Sequence, residues 1–234
     1  MKKLAILLAV IAVVPLMAWG FYQAIYAAPT EATMGDVQRI FYYHVPHGIL
    51  AYLFYSINFV GSLLVLLWRR SNPERAIVAD AWALSGAEVG VVFSTVVLTT
   101  GPIWARPVWG IWWTWDPRLT TSLVLWLIYV SYLLVRRFSS GSQMYTLAAV
   151  LAVFGALDMP INYLANRLWR TQHPSPVIAG GPDSGMAPPI AAALGWNVLA
   201  WAVWGLLILA FRVYVERRQQ TIDRAAANAA LAAD

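Results

Sequence analysis

The side chains of this protein best suited to chemistry are one tryptophan-rich stretch and three histidines. Residues 101–120 read GPIWARPVWGIWWTWDPRLT and hold five of the thirteen tryptophans. So many large flat rings, interrupted by Gly, Pro, Arg and Asp, do not suit the interior of an ordinary helix. They suit a surface that holds something flat and apolar with a charged edge, and a porphyrin meets that description. Indoles offer apolar faces with N–H donors at the rim. The only histidines are His44, His47 and His173, and imidazoles are common axial ligands of haem iron.

Two readings of the stretch stand side by side. Trp109, Trp112, Trp113 and Asp116 recur at i, i+3, i+4 and i+7, so a short surface helix would present them together. An extended backbone would instead align Trp109, Ile111, Trp113 and Trp115. In either case Pro107 and Pro117 restrict the backbone and favour a preformed platform. Asp116 can accept indole or backbone donors and hold its shape. Arg106 and Arg118 carry the guanidinium forks that match carboxylates. An interfacial aromatic belt explains isolated residues such as Trp19, Trp68 and Trp196. It does not explain four tryptophans between 109 and 115.

The elements that must position these groups are membrane helices. Of 234 residues, 60% are hydrophobic and only 12% charged, with a mean hydropathy of +0.62. A soluble domain carries about 25% charged residues. A spanning helix needs ~20 apolar residues, and six segments qualify, at about 4–27, 49–68, 76–100, 119–135, 145–165 and 190–211. The expected fold is an all-α integral membrane protein, a six-helix bundle forming one polytopic domain over 1–234. The Trp-rich loop is expected at 101–118, and a polar, alanine-rich tail at 212–234 is expected to extend the last helix on the cytoplasmic side. The first segment follows Lys2 and Lys3 as a secretory leader would, but signal cores run ~7–15 residues. This one continues through Trp19, Phe21, Tyr22 and Tyr26, so a retained helix is expected.

Cysteine is absent, which removes disulfides, thiolate metal sites and thiol exchange. The net charge of +5 comes mostly from arginines flanking the apolar runs, and no nucleic-acid-binding face is expected. P-loop, Ser–His–Asp and zinc spacings are absent, so no nucleotide-driven step is encoded in this chain.

Eleven cations fall in one set of connections (Lys2, Lys3, Arg69, Arg70, Arg75, Arg136, Arg137, Arg212, Arg217, Arg218 and Arg224). Five fall in the other (Arg39, Arg106, Arg118, Arg167 and Arg170). Positive connections stay in the cytoplasm. Both termini are therefore expected inside, with the connections after helices 1, 3 and 5 outside. That parity brings His44, the Trp-rich loop and His173 to one face of the membrane, although 129 positions separate the two histidines.

The stretch WGIWWTWDPRLT (109–120) resembles the signature loop of the "WWD" family, haem-handling membrane proteins of cytochrome c biogenesis. RIFYYHVP (39–46) and DMPI (158–161) through Trp169 to His173 resemble its smallest, six-helix branch, the cytochrome c maturation protein C or haem exporter protein C family (CcmC). The resemblance covers nearly the whole chain and implies His44 and His173 as axial ligands of a transiently bound haem b. It implies a haem-delivery component rather than an enzyme, passing haem to the periplasmic haem chaperone CcmE. It also implies the ABC transporter subunits CcmA and CcmB and the small single-helix protein CcmD as neighbours in a bacterial inner membrane, besides lipid. The haem-binding set so implied is His44, His173, Trp109, Trp112, Trp113, Trp115, Asp116, Arg39 and Arg118.

His44 is expected at the outer surface, just before helix 2, and His173 in a Pro-rich loop, where Pro174 holds it extended. His47 departs from the family pattern, in which a small residue follows His-Val-Pro, and is read as an interfacial bystander. Arg39 lies five residues before His44 and suits a haem propionate. Glu88, near the centre of helix 3, is expected to be protonated and hydrogen-bonded to a neighbouring helix, on the order of 20 Å below the platform. Asp158, beside Pro160 and Asn162, reads as a structural cap or a partner of an imidazole or Arg39. Two other functional classes compete: a cytochrome c haem lyase, against which the missing large periplasmic domain counts, and a b-type electron carrier, against which loop-borne histidines count.

Overall fold

A computed structural model describes residues 2–139, 141–176 and 185–232. The last two residues of the expected tail lie outside that set. Six long helices follow in order, all apolar and long enough to cross a bilayer. Helix α1 is Lys2–Tyr22, continued by a π turn at Gln23–Ala27, and a 3-10 turn at Asp36–Ile40 leads into α2, Phe41–Trp68. The others are α3 Pro73–Trp109, α4 Pro117–Phe138, α5 Gly141–Leu168 and α6 Pro188–Leu231. The chain is a multi-pass membrane protein.

In lipid there is little hydrophobic drive between helices, so small residues and close backbone approach hold them together. The α2–α3 hairpin is built this way. A Cβ on Gly86 would lie 2.8 Å from the Phe54 carbonyl oxygen and 2.9 Å from the Asn58 nitrogen. Beside it, Asn58 Nδ2 donates to the Ala83 carbonyl at 2.8 Å. Around this hairpin Phe54, Tyr55, Phe93, Leu125, Tyr129 and Tyr132 form the main core. Tyr55 and Tyr129 stack with ring centres 3.6 Å apart, joining α2 to α4.

Helix α6 is tied to α3 at three levels. Arg212 grips Glu88 with two bonds of 2.6 and 2.9 Å. Gln220 reaches Asp80 at 3.4 Å, and Arg224 pairs with Glu74 at 3.0 Å. Asp80 is also held by both terminal nitrogens of Arg136 from α4, at 2.7 and 2.8 Å, with the two side chains only 6% and 8% exposed. Glu88 is thus bonded to a neighbouring helix, as expected, with the Arg212 guanidinium as its partner. α6 runs on past 211 as one unbroken helix, the expected extension, which stands Arg212 beside α3.

Two helix ends differ from expectation. α2 begins at Phe41, so His44 and His47 lie on the helix itself. Pro46 is accommodated because its ring is buried and it forfeits only one backbone bond. His47 is 4% exposed, with Nδ1 donating to the Tyr43 carbonyl at 2.7 Å and its ring against Phe93 and Trp201. It is a core residue, not an interfacial one. α3 continues through Pro102 and Pro107 to Trp109 and ends at Gly110, whose φ of +79° is the left-handed conformation that glycine tolerates at a helix end. The non-helical part of the Trp-rich stretch narrows from the expected 101–118 to residues 110–116.

Candidate functional site

His44 is the fourth residue of α2. The connection before it is pinned by Arg39, whose Nη1 donates to the carbonyls of Ala24 at 2.9 Å and Ala28 at 3.5 Å. Arg39 also bonds Thr30 at 3.3 Å and Asp36 at 3.0 Å. Its guanidinium thus fastens the α1–α2 connection to the end of α1. His44 Nδ1 meets Thr100 Oγ1 of α3 at 2.9 Å.

His173 lies on the α5–α6 connection, which three side chains hold in place. Its backbone N–H donates to Thr171 Oγ1 at 3.1 Å. Asn166 Nδ2, at the end of α5, donates to the carbonyls of His173 at 2.8 Å and Pro174 at 3.0 Å. The neighbouring Gln172 N–H reaches Asp116 Oδ2 at 3.3 Å. Asp116 also caps α4, accepting from Leu119 N–H at 3.0 Å, so one carboxylate fixes both the α4 start and the His173 loop.

The two imidazoles are neighbours, with ring centres 6.3 Å apart and planes inclined by 34°. His173 Nδ1 lies 2.9 Å from the Pro174 carbonyl oxygen. A carbonyl only accepts, so this nitrogen carries the ring proton and Nε2 carries the lone pair. Both Nδ1 atoms are engaged, which leaves both Nε2 atoms without a hydrogen-bond partner among the described residues. With a metal–imidazole bond of ~2 Å and ~1 Å from nitrogen to ring centre, two imidazoles on opposite sides of one metal stand about 6 Å apart. The spacing fits an axial pair.

The helical arrangement is not formed, because α3 ends at Trp109 and residues 110–116 are non-helical, so Trp109, Trp112, Trp113 and Asp116 do not share a helix face. Trp104 and Trp109 close the helix with an edge-to-face contact, centres 5.2 Å apart, and Trp113 and Trp115 form a second such pair at 5.8 Å on the non-helical segment. Trp112 and Trp115 are 58% and 75% exposed, a large apolar area for one rim. The indole nitrogen of Trp113 is buried with no hydrogen-bond partner among the described residues. An orphan donor of this kind is costly unless something accepts from it. An open hollow of about 480 Å³ lies beside the Trp115 ring, walled by Thr114, Asp116, Arg170, Thr171 and Gln172.

One turn below His44 a small cavity of about 50 Å³ is lined by Gly48, Tyr52, Ser94, Arg118, Ser122 and Asn162. Arg118 Nη1 donates to the Asn162 carbonyl, and Tyr52 OH donates to Asn162 Oδ1. Asn162 Nδ2 returns bonds to Thr121 and Ser122, both at 2.8 Å. Arg118 Nε and Nη2 have no partner among the described residues, so the guanidinium retains donors for a carboxylate. Asp158 neither caps a helix nor bonds an imidazole; its Oδ2 is buried and unpartnered among the described residues. Thr100, Asn166 and Tyr52 carried no signal in the sequence, because their partners lie 56, 7 and 110 positions away.

Burial, and then the nearby Arg118 charge, pull His173 down from the ordinary imidazole value of 6.5 to about 4. The Pro174 bond and Asp116 act weakly the other way. A folded-state value below the ordinary one favours the neutral ring. Its contribution to the ordered loop is complete above pH ~6.5, shrinks below that and is gone beneath pH ~4. In haem-free protein the His173 ring resonance is therefore expected to titrate near 4 by NMR. A midpoint near 6.5 would show the ring to be solvated and the loop open.

Comparison with known proteins agrees with the family resemblance of the sequence. The family profile described as "Heme exporter protein C" matches residues 1–230. A heme exporter protein C of Bradyrhizobium diazoefficiens is 36% identical over 175 residues, 74% of this chain and 64% of the relative. That of Escherichia coli K12 is 31% identical over 206 residues, 87% of this chain and 76% of the relative. A mitochondrial protein of Marchantia polymorpha, named as ccmC-like in cytochrome c biosynthesis, is 32% identical over 158 residues, 68% of this chain and 64% of the relative. This chain thus spans slightly under two thirds of the length of two of these three relatives.

Proposed function

Since this chain belongs to the haem exporter protein C family, we propose that it holds haem for cytochrome c maturation and delivers it, without catalysing a reaction of its own. His44 and His173 are the axial ligands, one on each face of the iron. The observation that carries this reading is the pair of neighbouring imidazoles, 6.3 Å between centres, each with Nδ1 engaged and Nε2 available.

Trp109, Trp112, Trp113 and Trp115 supply the apolar rim against which the porphyrin lies. The orphan indole N–H of Trp113 supplies a donor for a polar group at its edge. Arg118, with two nitrogens unengaged, is the cation for a propionate. Arg39 contributes chiefly by fastening the connection that leads to His44, since four acceptors already surround its guanidinium. Asp116 locks the two outer connections together.

The cargo is haem b, displayed on the periplasmic face of the bacterial inner membrane, the side predicted by the distribution of cations. The recipient is the periplasmic chaperone CcmE, and CcmA, CcmB and CcmD complete the complex. Release powered by nucleotide hydrolysis belongs to the transporter subunits. Purification with CcmE tests the reading. Haem in the joint complex is expected to be six-coordinate and low-spin, as two imidazoles require. A high-spin, five-coordinate spectrum would refute the paired-ligand site.

A further inference from the structure

We infer that Thr100 is a positioning residue that commits His44 to the one tautomer able to bind iron; the inference rests on the reading of His44 as an axial ligand. The argument is a count of protons. A threonine hydroxyl has one proton to donate and lone pairs to accept with. Thr100 Oγ1 lies 2.7 Å from the carbonyl oxygen of Val96, one helical turn back, with the Val97 carbonyl a distant second at 3.4 Å. The proton is spent on that carbonyl. What the oxygen presents to His44 Nδ1, at 2.9 Å, is a lone pair. Nδ1 therefore carries the ring hydrogen, and a neutral imidazole has only one. Nε2 is left bare on the ring that neighbours His173.

The opposite arrangement has the hydroxyl donating to a bare Nδ1. It leaves two oxygens 2.7 Å apart with no proton between them, and it places a hydrogen on Nε2, where the metal must attach. The same helix contains an unambiguous parallel five residues earlier. Thr95 Oγ1 donates to the Val91 carbonyl at 2.7 Å and at the same time lies 2.8 Å from the indole nitrogen of Trp126. An indole N–H can only donate, so a back-bonded threonine of α3 does serve as an acceptor for a side chain of a neighbouring helix. Thr100 repeats the arrangement with an imidazole in place of the indole.

Two consequences follow for the iron. A ligand whose remote N–H is hydrogen-bonded is oriented and made more basic, which strengthens its bond to the metal. Weakening that bond releases the ring to rotate and lets the hydrogen move to Nε2. The electron donation that favours oxidised iron then falls, and the reduction potential rises.

The test compares Thr100→Val, which keeps the shape and removes the acceptor, with Thr100→Ser, which keeps the hydroxyl. In haem-free protein labelled with ¹⁵N-histidine, wild type and Thr100→Ser are expected to show His44 with protonated Nδ1 and bare Nε2, and Thr100→Val to show a mixture. In the haem-loaded complex, Thr100→Val is expected to lose haem about 10-fold more readily and to shift the potential upward, both restored by serine. Thr100→Ala serves as the second acceptor-free variant if valine perturbs folding. A wild-type tautomer signature and potential in a folded acceptor-free variant would overturn the inference. His44→Ala separates the two levels. If that variant keeps a normal haem spectrum, the ligand assignment itself fails; if it loses the six-coordinate low-spin spectrum while Thr100→Val behaves as wild type, only the role of Thr100 fails.

Discussion

The double variant His44→Ala/His173→Ala is expected to purify with its partners but without haem, its Soret absorption lost entirely. Each single variant keeps one imidazole and is expected to retain a weaker, five-coordinate haem, with retention reduced on the order of 10–100-fold. The two losses will not add, because both residues hold one atom. Neither change removes a support of the fold. His44 contributes one side-chain bond to α3, and the His173 loop is held by its backbone through Asn166 and Thr171. Truncation also leaves a ring-sized space, so added imidazole is expected to restore the low-spin spectrum of the single variants. An unchanged Soret band in the double variant would refute the assignment of both ligands.

The second large effect lies at the other end of the bundle. Arg136→Ala strands the carboxylate of Asp80 in a site where it is only 6% exposed. Removing one partner of such a pair costs about 3–5 kcal/mol, because the remaining charge keeps its desolvation penalty and loses its compensation. The expected result is a sharply reduced yield and a lower melting temperature in detergent. Asp80→Asn combined with Arg136→Gln is expected to recover most of the loss. Since Asp80 and Thr100 are twenty residues apart on α3, ~30 Å, the molecules that do fold are expected to bind haem with a normal spectrum. Normal melting of Arg136→Ala would show the pair to be hydrated and structurally idle.

Much of this architecture could be read from apolar runs alone, since a membrane span has few other solutions. Helix ends were harder. Apolarity reports where lipid stops, whereas a helix continues as long as its backbone bonds are satisfied. α3 therefore passes Pro102 and Pro107 before Gly110 ends it. In the candidate site, residue type drew attention to the tryptophans, His44, His173, Asp116 and Arg118, because chemistry of that kind is rare in so apolar a chain; that they hold haem is the reading proposed above. Pairings were not legible. Nothing near His47 in the sequence announces its burial against Phe93 and Trp201, and nothing near Arg39 announces that its donors are taken by the end of α1. Such contacts depend on how helices lie against each other, which local pattern does not encode.

The two proposed ligands stand on unequal supports. His44 is built into a helix packed along its length against α3, so it cannot swing aside unless that helix unwinds. His173 rides on a connection secured by a handful of bonds from Asn166, Thr171 and Asp116. If both rings hold the cargo as proposed, the imidazole on the connection would be the one to let go first, while His44 would keep its grip. A recipient could then engage the cargo before the helix-borne residue releases it.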